Sequence, residues 1–173
     1  MTAYVALLRG VNLVGKSSLK MADLKAIADE LKLDKARTYI ASGNLLFLSG
    51  KPEEKLREML EKRMQAHMSK EVRVMLRTAD EMEAVVRADP FTDQPGNRVQ
   101  AFFLNAPPPK DLLESVRNKA DDERIAAGAR EVFVAYGEKG IGKSRLRIPA
   151  AEAGTARNMN TVAKLAELAR EMS

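Results

Sequence analysis

Two stretches of this 173-residue sequence have the residue types and spacing of a phosphate-binding loop, Gly-x-x-x-x-Gly-Lys-Ser. One runs from Gly10 to Ser17 and carries Gly15 and Lys16; the other runs from Gly137 to Ser144 and carries Gly142 and Lys143. In such a loop the backbone N–H groups surround phosphate oxygens, the lysine neutralises charge and the serine hydroxyl holds Mg²⁺. The surrounding sequence argues against nucleotide hydrolysis. Helical periodicity resumes only near Met21, and Pro149 interrupts any long helix after Ser144, whereas a hydrolase loop feeds directly into a helix. The apolar run Val99–Leu104 ends in Asn105, and no later strand ends in the aspartate that would complete a magnesium site. Too little chain follows Gly137 for a parallel βαβ sheet. A nucleotide hydrolase is therefore the least favoured reading. Two others stay open: flexible basic loops that only reverse the chain, and loops that bind an anion through glycine amides and lysine without hydrolysing anything.

A second polar group lies near the carboxyl end, where Arg157, Asn158, Asn160 and Thr161 mark the start of a helix with free N–H groups. Together with Arg9, Asn12, Lys16, Ser42 and Asn44, and with Lys143 and Ser144 of the second loop, they define the candidate ligand-binding set. If the two halves face each other, these residues would line a cationic pocket suited to phosphate or carboxylate. The competing reading is that Asn158 or Asn160 caps the helix while Arg157 bonds a carbonyl. His67 lies between methionines and charged residues without a nucleophile at motif spacing, which argues against catalysis. With one histidine and no cysteine, neither a zinc site nor thiolate chemistry is expected, and no cofactor is expected.

The net charge of +5 is too small to identify a partner, but its placement is informative. Arg9, Lys16 and Lys20 precede the first acid, Asp23, and Lys139, Lys143, Arg145 and Arg147 run without an intervening acid. A composition of 45% hydrophobic and 31% charged residues suits a packed globular chain. No run reaches the roughly 18 to 20 apolar residues of a membrane span, and the amino terminus lacks a signal-peptide layout, so no membrane partner and a cytoplasmic location are expected. Nucleic acid is a less favoured partner: aromatics make up only 5%, and Phe102 and Phe103 point to opposite faces of one strand. A protein-interaction module is a further alternative, because sheet edges could pair between subunits. The oligomeric state is not legible.

The elements that would position these residues follow from periodicity. Tyr4–Leu8 reads as a buried strand, and Met21, Leu24, Ile27 and Leu31 as one helix face. Thr38–Ile40 and Leu45–Leu48 read as strands joined by the Ser42-Gly43-Asn44 turn, and Pro52-Glu53-Glu54 opens a helix. Val72, Val74 and Leu76 alternate as in a strand, completing a βαββαβ half over residues 1–77. Residues 78–173 open with the capping box Thr78-Ala79-Asp80-Glu81, followed by the strand Val99–Leu104 and a helix carrying Leu112, Leu113 and Val116. Strands Ile125–Ala127 and Val132–Tyr136 then pair across Gly128-Ala129-Arg130, and a final helix carries Val162, Leu165 and Ala169. The fold class is α+β: two ferredoxin-like, βαββαβ-type halves with antiparallel sheets, plus a C-terminal helix.

Three collinear motifs carry a family resemblance: Leu7-Leu8-Arg9-Gly10-Val11-Asn12, Lys20-Met21-Ala22-Asp23-Leu24, and Arg37-Thr38-Tyr39-Ile40-Ala41-Ser42-Gly43-Asn44. With Thr155-Ala156-Arg157-Asn158-Met159-Asn160-Thr161 near the end, the chain resembles the domain of unknown function 1697 family. Val14 stands where that family usually has glycine, and Met159 where it usually has tryptophan. The resemblance implies an α+β fold of two ferredoxin-like parts and no settled activity. It also implies that the two phosphate-loop spellings are local drift. From residues and resemblance together, the expected function is binding of a small anionic or phosphorylated ligand between the halves.

Overall fold

The computed structural model describes residues 1–11, 19–40 and 43–173. The chain divides into two units, Met1–Met82 with Leu165–Ser173, and Glu83–Lys164. Compared with a division at 77/78, the break falls inside a helix, and the last residues rejoin the first unit.

In the first unit, β1 (Thr2–Arg9), α1 (Met21–Glu30), β2 (Asp34–Thr38), β3 (Asn44–Ser49), α2 (Glu53–Met68) and β4 (Arg73–Thr78) follow one another. The strands form an antiparallel sheet of order β2-β3-β1-β4, the ferredoxin-like arrangement. Alternation puts Tyr4, Ala6 and Leu8 of β1 and Leu45 and Phe47 of β3 in one core with Leu24 and Ile27 of α1 and Leu56, Leu60 and Met64 of α2. Val5, Leu7 and Leu46, on the opposite face, are also fully buried. Burial on both faces explains why β1 reads as an unbroken apolar run rather than an alternating one. Tyr4 and Phe47 face each other across β1 and β3 and stack at 5.8 Å between ring centroids.

Strand β2 lies earlier than Thr38–Ile40. Ile40 has a φ of +42°, a conformation a β-branched residue cannot hold within a strand, so pairing ends at Thr38. Helix α2 starts on two acids after Pro52 and stops where Ser69 turns to a φ of +55°.

The second unit contains most of α3 (Ala79–Ala88), then β5 (Val99–Phe103), β6 (Arg124–Ala127), β7 (Glu131–Ala135), β8 (Thr155–Asn158) and the start of α4 (Met159–Met172). Its antiparallel sheet has the order β6-β7-β5-β8, which repeats the first sheet strand for strand. What differs is the cover. The helix expected at Leu112, Leu113 and Val116 is a single 3-10 turn, Leu112–Ser115. Leu112 is buried in the core and Val116 packs partly against it, while Leu113 is 64% exposed, too little burial to sustain a helix in so short a segment. Between β7 and β8, where α2 stands in the first unit, there are only the 3-10 turns Ile141–Lys143 and Pro149–Ala151. Residues Thr155–Asn158 form the fourth strand, pairing Phe103 with Thr155 and Gln100 with Asn158, and the helix expected around Arg157–Thr161 begins directly after it at Met159.

The two edge strands β4 and β8 end alike. Arg77 lies opposite Val5 on β1, and Arg157 opposite Ala101 on β5. Each guanidinium donates through Nη1 to the carbonyl of the preceding residue at 2.9 Å. Each is followed by a cap: the Thr78 hydroxyl accepts the Glu81 N–H at 3.1 Å while the Glu81 carboxylate accepts the Thr78 N–H at 2.9 Å, and Asn158 Oδ1 accepts the Thr161 N–H at 3.0 Å. Because a side-chain cap satisfies a helix N–H that has no partner within the helix, Thr78→Ala and Asn158→Ala should each lower the unfolding free energy by ~1 kcal/mol. Urea denaturation should show a lower midpoint with an unchanged slope, and Thr78→Ser should recover most of the loss.

Candidate functional site

The residues singled out from sequence are distributed over both units. Asn12, Lys16 and Ser42 lie outside the described residues. Arg9 is exposed at the end of β1. Asn44 is fully buried and closes the link from β2: its side-chain amide donates to the Tyr39 carbonyl at 3.1 Å and its own carbonyl accepts the Tyr39 N–H at 3.2 Å. Gly10 opens the first motif with a φ of +89°, and a Cβ there would stand 2.8 Å from the Glu71 carbonyl oxygen. Close backbone approach therefore already requires this glycine.

At the carboxyl end, Arg157 is 6% exposed and donates to the Thr155 hydroxyl at 2.7 Å as well as to Ala156. Desolvation disfavours the charged form and lowers its pKa to about 10. Asn158 is the helix cap, Thr161 is buried behind it, and the exposed Asn160 lies over Gly96, where a Cβ would meet its Oδ1. Here the structural alternative raised by the sequence is the arrangement found: capping by asparagine and carbonyl bonding by arginine.

Lys143 and Ser144 stand elsewhere in the second unit, on the wall of a cleft of about 490 Å³ whose lining also includes Asp122, Glu123, Lys139 and Arg145. The Gly137–Ser144 loop that builds this wall is a turn closed by the Gly140 N–H on the Gly137 carbonyl at 2.9 Å, followed by the 3-10 turn Ile141–Lys143. No helix begins at Ser144, where the backbone is extended, so the loop has no helix N-terminus to present to phosphate. Ser144 is also committed: its hydroxyl donates to Glu123 Oε2 and accepts the Leu146 N–H at 3.2 Å. Together these geometries are not those of a nucleotide-hydrolysing loop.

Two carboxylates hold the loop. Glu123, 4% exposed, accepts the Ala120 N–H at 2.9 Å with one oxygen and the Ser144 hydroxyl with the other. Asp122 Oδ2 accepts the Glu138 N–H at 3.0 Å, lying so close over the backbone that a Cβ on Gly137 would overlap it at 1.9 Å. Lys139, Lys143 and Arg145 are exposed and pair with no carboxylate among the described residues, whereas Arg147, the fourth cation of this stretch, is bound by Glu152 at 2.7 Å. The cleft thus pairs internally satisfied acids with three open cations. Sequence reasoning found the basic stretch but missed Asp122 and Glu123. The acid run Asp121-Asp122-Glu123 before β6 was the available signal, though nothing local ties it to a loop some twenty residues on.

Tyr136, just before the loop, donates to Gln100 Oε1 at 3.1 Å. Burial, with a smaller contribution from Glu123, pushes its pKa up to about 12. The folded state therefore holds this proton above the ordinary tyrosine pKa, so its contribution to stability is complete below about pH 10 and is lost as pH rises through about 12. An ultraviolet tyrosinate titration should show a step near pH 12 that is absent from Tyr136→Phe. Gly137→Ala and Asp122→Ala remove the same hydrogen bond, so each should cost about 1 kcal/mol or less. The double variant should cost no more than the larger single one, as a double-mutant cycle by urea denaturation would measure.

Comparison with known proteins adds fold and family. Among solved structures, the chain is similar to the conserved bacterial protein SP0830 from Streptococcus pneumoniae, with 26% sequence identity and a TM-score of 0.78 over 98% of this chain and 99% of that one. No curated protein matches the chain. The family described as Protein of unknown function (DUF1697) matches residues 1–133, a span that covers Met1–Met82 of the first unit and runs into β7 of the second. On that match the chain belongs to the DUF1697 family of proteins of unknown function.

Proposed function

We propose that this protein binds a small anionic or phosphorylated ligand at the basic cleft of its second unit. The observation that carries this reading is the set of three exposed cations, Lys139, Lys143 and Arg145, on one cleft whose two carboxylates are occupied by the loop's own N–H and hydroxyl groups. A cation engaged by a neighbouring acid has little attraction left for a ligand; an open one at the rim of a concave site retains it. The cleft volume of about 490 Å³ falls within the usual range for small-molecule sites.

A nucleic-acid partner has less support. Phe103 is buried and Phe102 packs partly into the core beneath the sheet, which leaves β5 no open aromatic pair for stacking bases. A cytoplasmic location belongs to the same reading. No described helix is long and apolar enough to cross a membrane.

Calorimetric titration with pyrophosphate tests the reading. Lys143→Ala and Arg145→Ala should each weaken binding by about tenfold, the value of one charge-assisted hydrogen bond, while leaving the unfolding midpoint unchanged. Pyrophosphate affinity that is absent, or indifferent to both substitutions, would remove the basis for this function. Length-dependent, salt-steep binding of RNA lost in the same variants would transfer the site to nucleic acid.

A further inference from the structure

Beside the basic cleft lies a second, smaller cavity of about 150 Å³. Its walls are mainly apolar, with Phe102, Tyr136, Leu146, Ile148 and Ala151. Its two charged lining residues, Arg147 and Glu152, bond each other at 2.7 Å and so cancel locally. The cavities adjoin along two separate stretches of chain. On one, Tyr136 lines the apolar cavity and the next residue, Gly137, lines the basic cleft; on the other, Arg145 lines the cleft and Leu146 the cavity. Consecutive Cα atoms are only about 3.8 Å apart, so the two hollows flank the same two stretches of backbone.

The apolar cavity follows from how the second unit covers its sheet. Phe102, Tyr136, Leu146, Ile148 and Ala151 belong to the core cluster on the face that only 3-10 turns cover, whereas α1 and α2 close the corresponding face of the first unit. Short turns fill less of the space over a sheet than two helices do, and what remains is shaped by flat and branched side chains. An apolar cavity of about 150 Å³ has the capacity of a single aromatic ring.

We infer that the ligand of this protein is an aryl-bearing anion, with its phosphate or carboxylate among Lys139, Lys143 and Arg145 and one aromatic ring in the cavity walled by Phe102, Tyr136 and Leu146. This rests on the anion-binding reading of the basic cleft and adds the class of ligand. The ring contributes by leaving water for apolar walls and by packing against Phe102 and the Tyr136 ring, while the charged group fixes its direction of entry.

The test compares methyl phosphate with phenyl phosphate and benzyl phosphate by calorimetry on the full-length chain. At least one aryl phosphate should bind the unaltered protein about tenfold or more tightly than methyl phosphate. Ala151→Phe, which fills the cavity, should reduce that preference to within about twofold. Lys143→Ala should weaken all three ligands together and preserve their ratio. Equal affinity for methyl and aryl phosphates in the unaltered protein would overturn the inference and leave the anion site standing, and this comparison needs no variant to fold. Failure of all three phosphates to bind would overturn the anion site, and the inference with it.

Discussion

A four-stranded antiparallel sheet with apolar side chains on a face must cover that face, and the way each unit meets this requirement decides where a ligand could enter. In the first unit α1 and α2 supply Leu24, Ile27, Leu56, Leu60 and Met64 to Tyr4, Ala6, Leu8 and Phe47. In the second unit the same strand order recurs, but Leu112, Ile148 and Ala151 come from 3-10 turns and the segments beside them. Two helices present long continuous ridges; isolated turns present single side chains. The second sheet is accordingly the one that carries the adjoining apolar and basic hollows.

The loop over this sheet is shaped by its acids rather than by its glycines alone. Glu123 ties Ser144 to the chain entering β6, and Asp122 ties Glu138 to the same segment, with Gly137 giving the carboxylate room to lie across the backbone. Asp122 Oδ2 and both Glu123 oxygens thereby accept hydrogen bonds from the loop and from the chain entering β6. Lys139, Lys143 and Arg145 are left facing water, a distribution that favours an incoming anion without a helix terminus or a metal to assist it. Arg147 makes the contrast clear: one position past Leu146, it is engaged by Glu152.

Much of the fold was legible in local chemistry. The acids opening α2, the Thr78–Glu81 capping box and the Gly128 reversal between β6 and β7 each involve residues that settle their structure with near neighbours, and the apolar run of β1 announces its burial by composition alone. What was not legible depends on distant partners. Thr155–Asn158 becomes a strand only by pairing with β5, some fifty residues earlier, and Leu112–Val116 lacks a helix because Leu112 alone is fully buried, with Val116 partly covered and Leu113 exposed. The candidate site divides in the same way. The basic stretch is written in consecutive residues, while the carboxylates that leave three of its cations open stand before β6, and Arg157 is drawn into β8 by pairing its sequence does not announce.

The central claim, that an anion settles on the Gly137–Arg145 wall of the second unit, is tested most directly by following backbone amide resonances of isotope-labelled protein during titration with inorganic phosphate. The account predicts saturable shifts concentrated at Gly137, Lys139, Gly140, Lys143 and Arg145, with α1 and α2 unmoved. Shifts confined to other segments, or none at phosphate concentrations well above physiological, would contradict it.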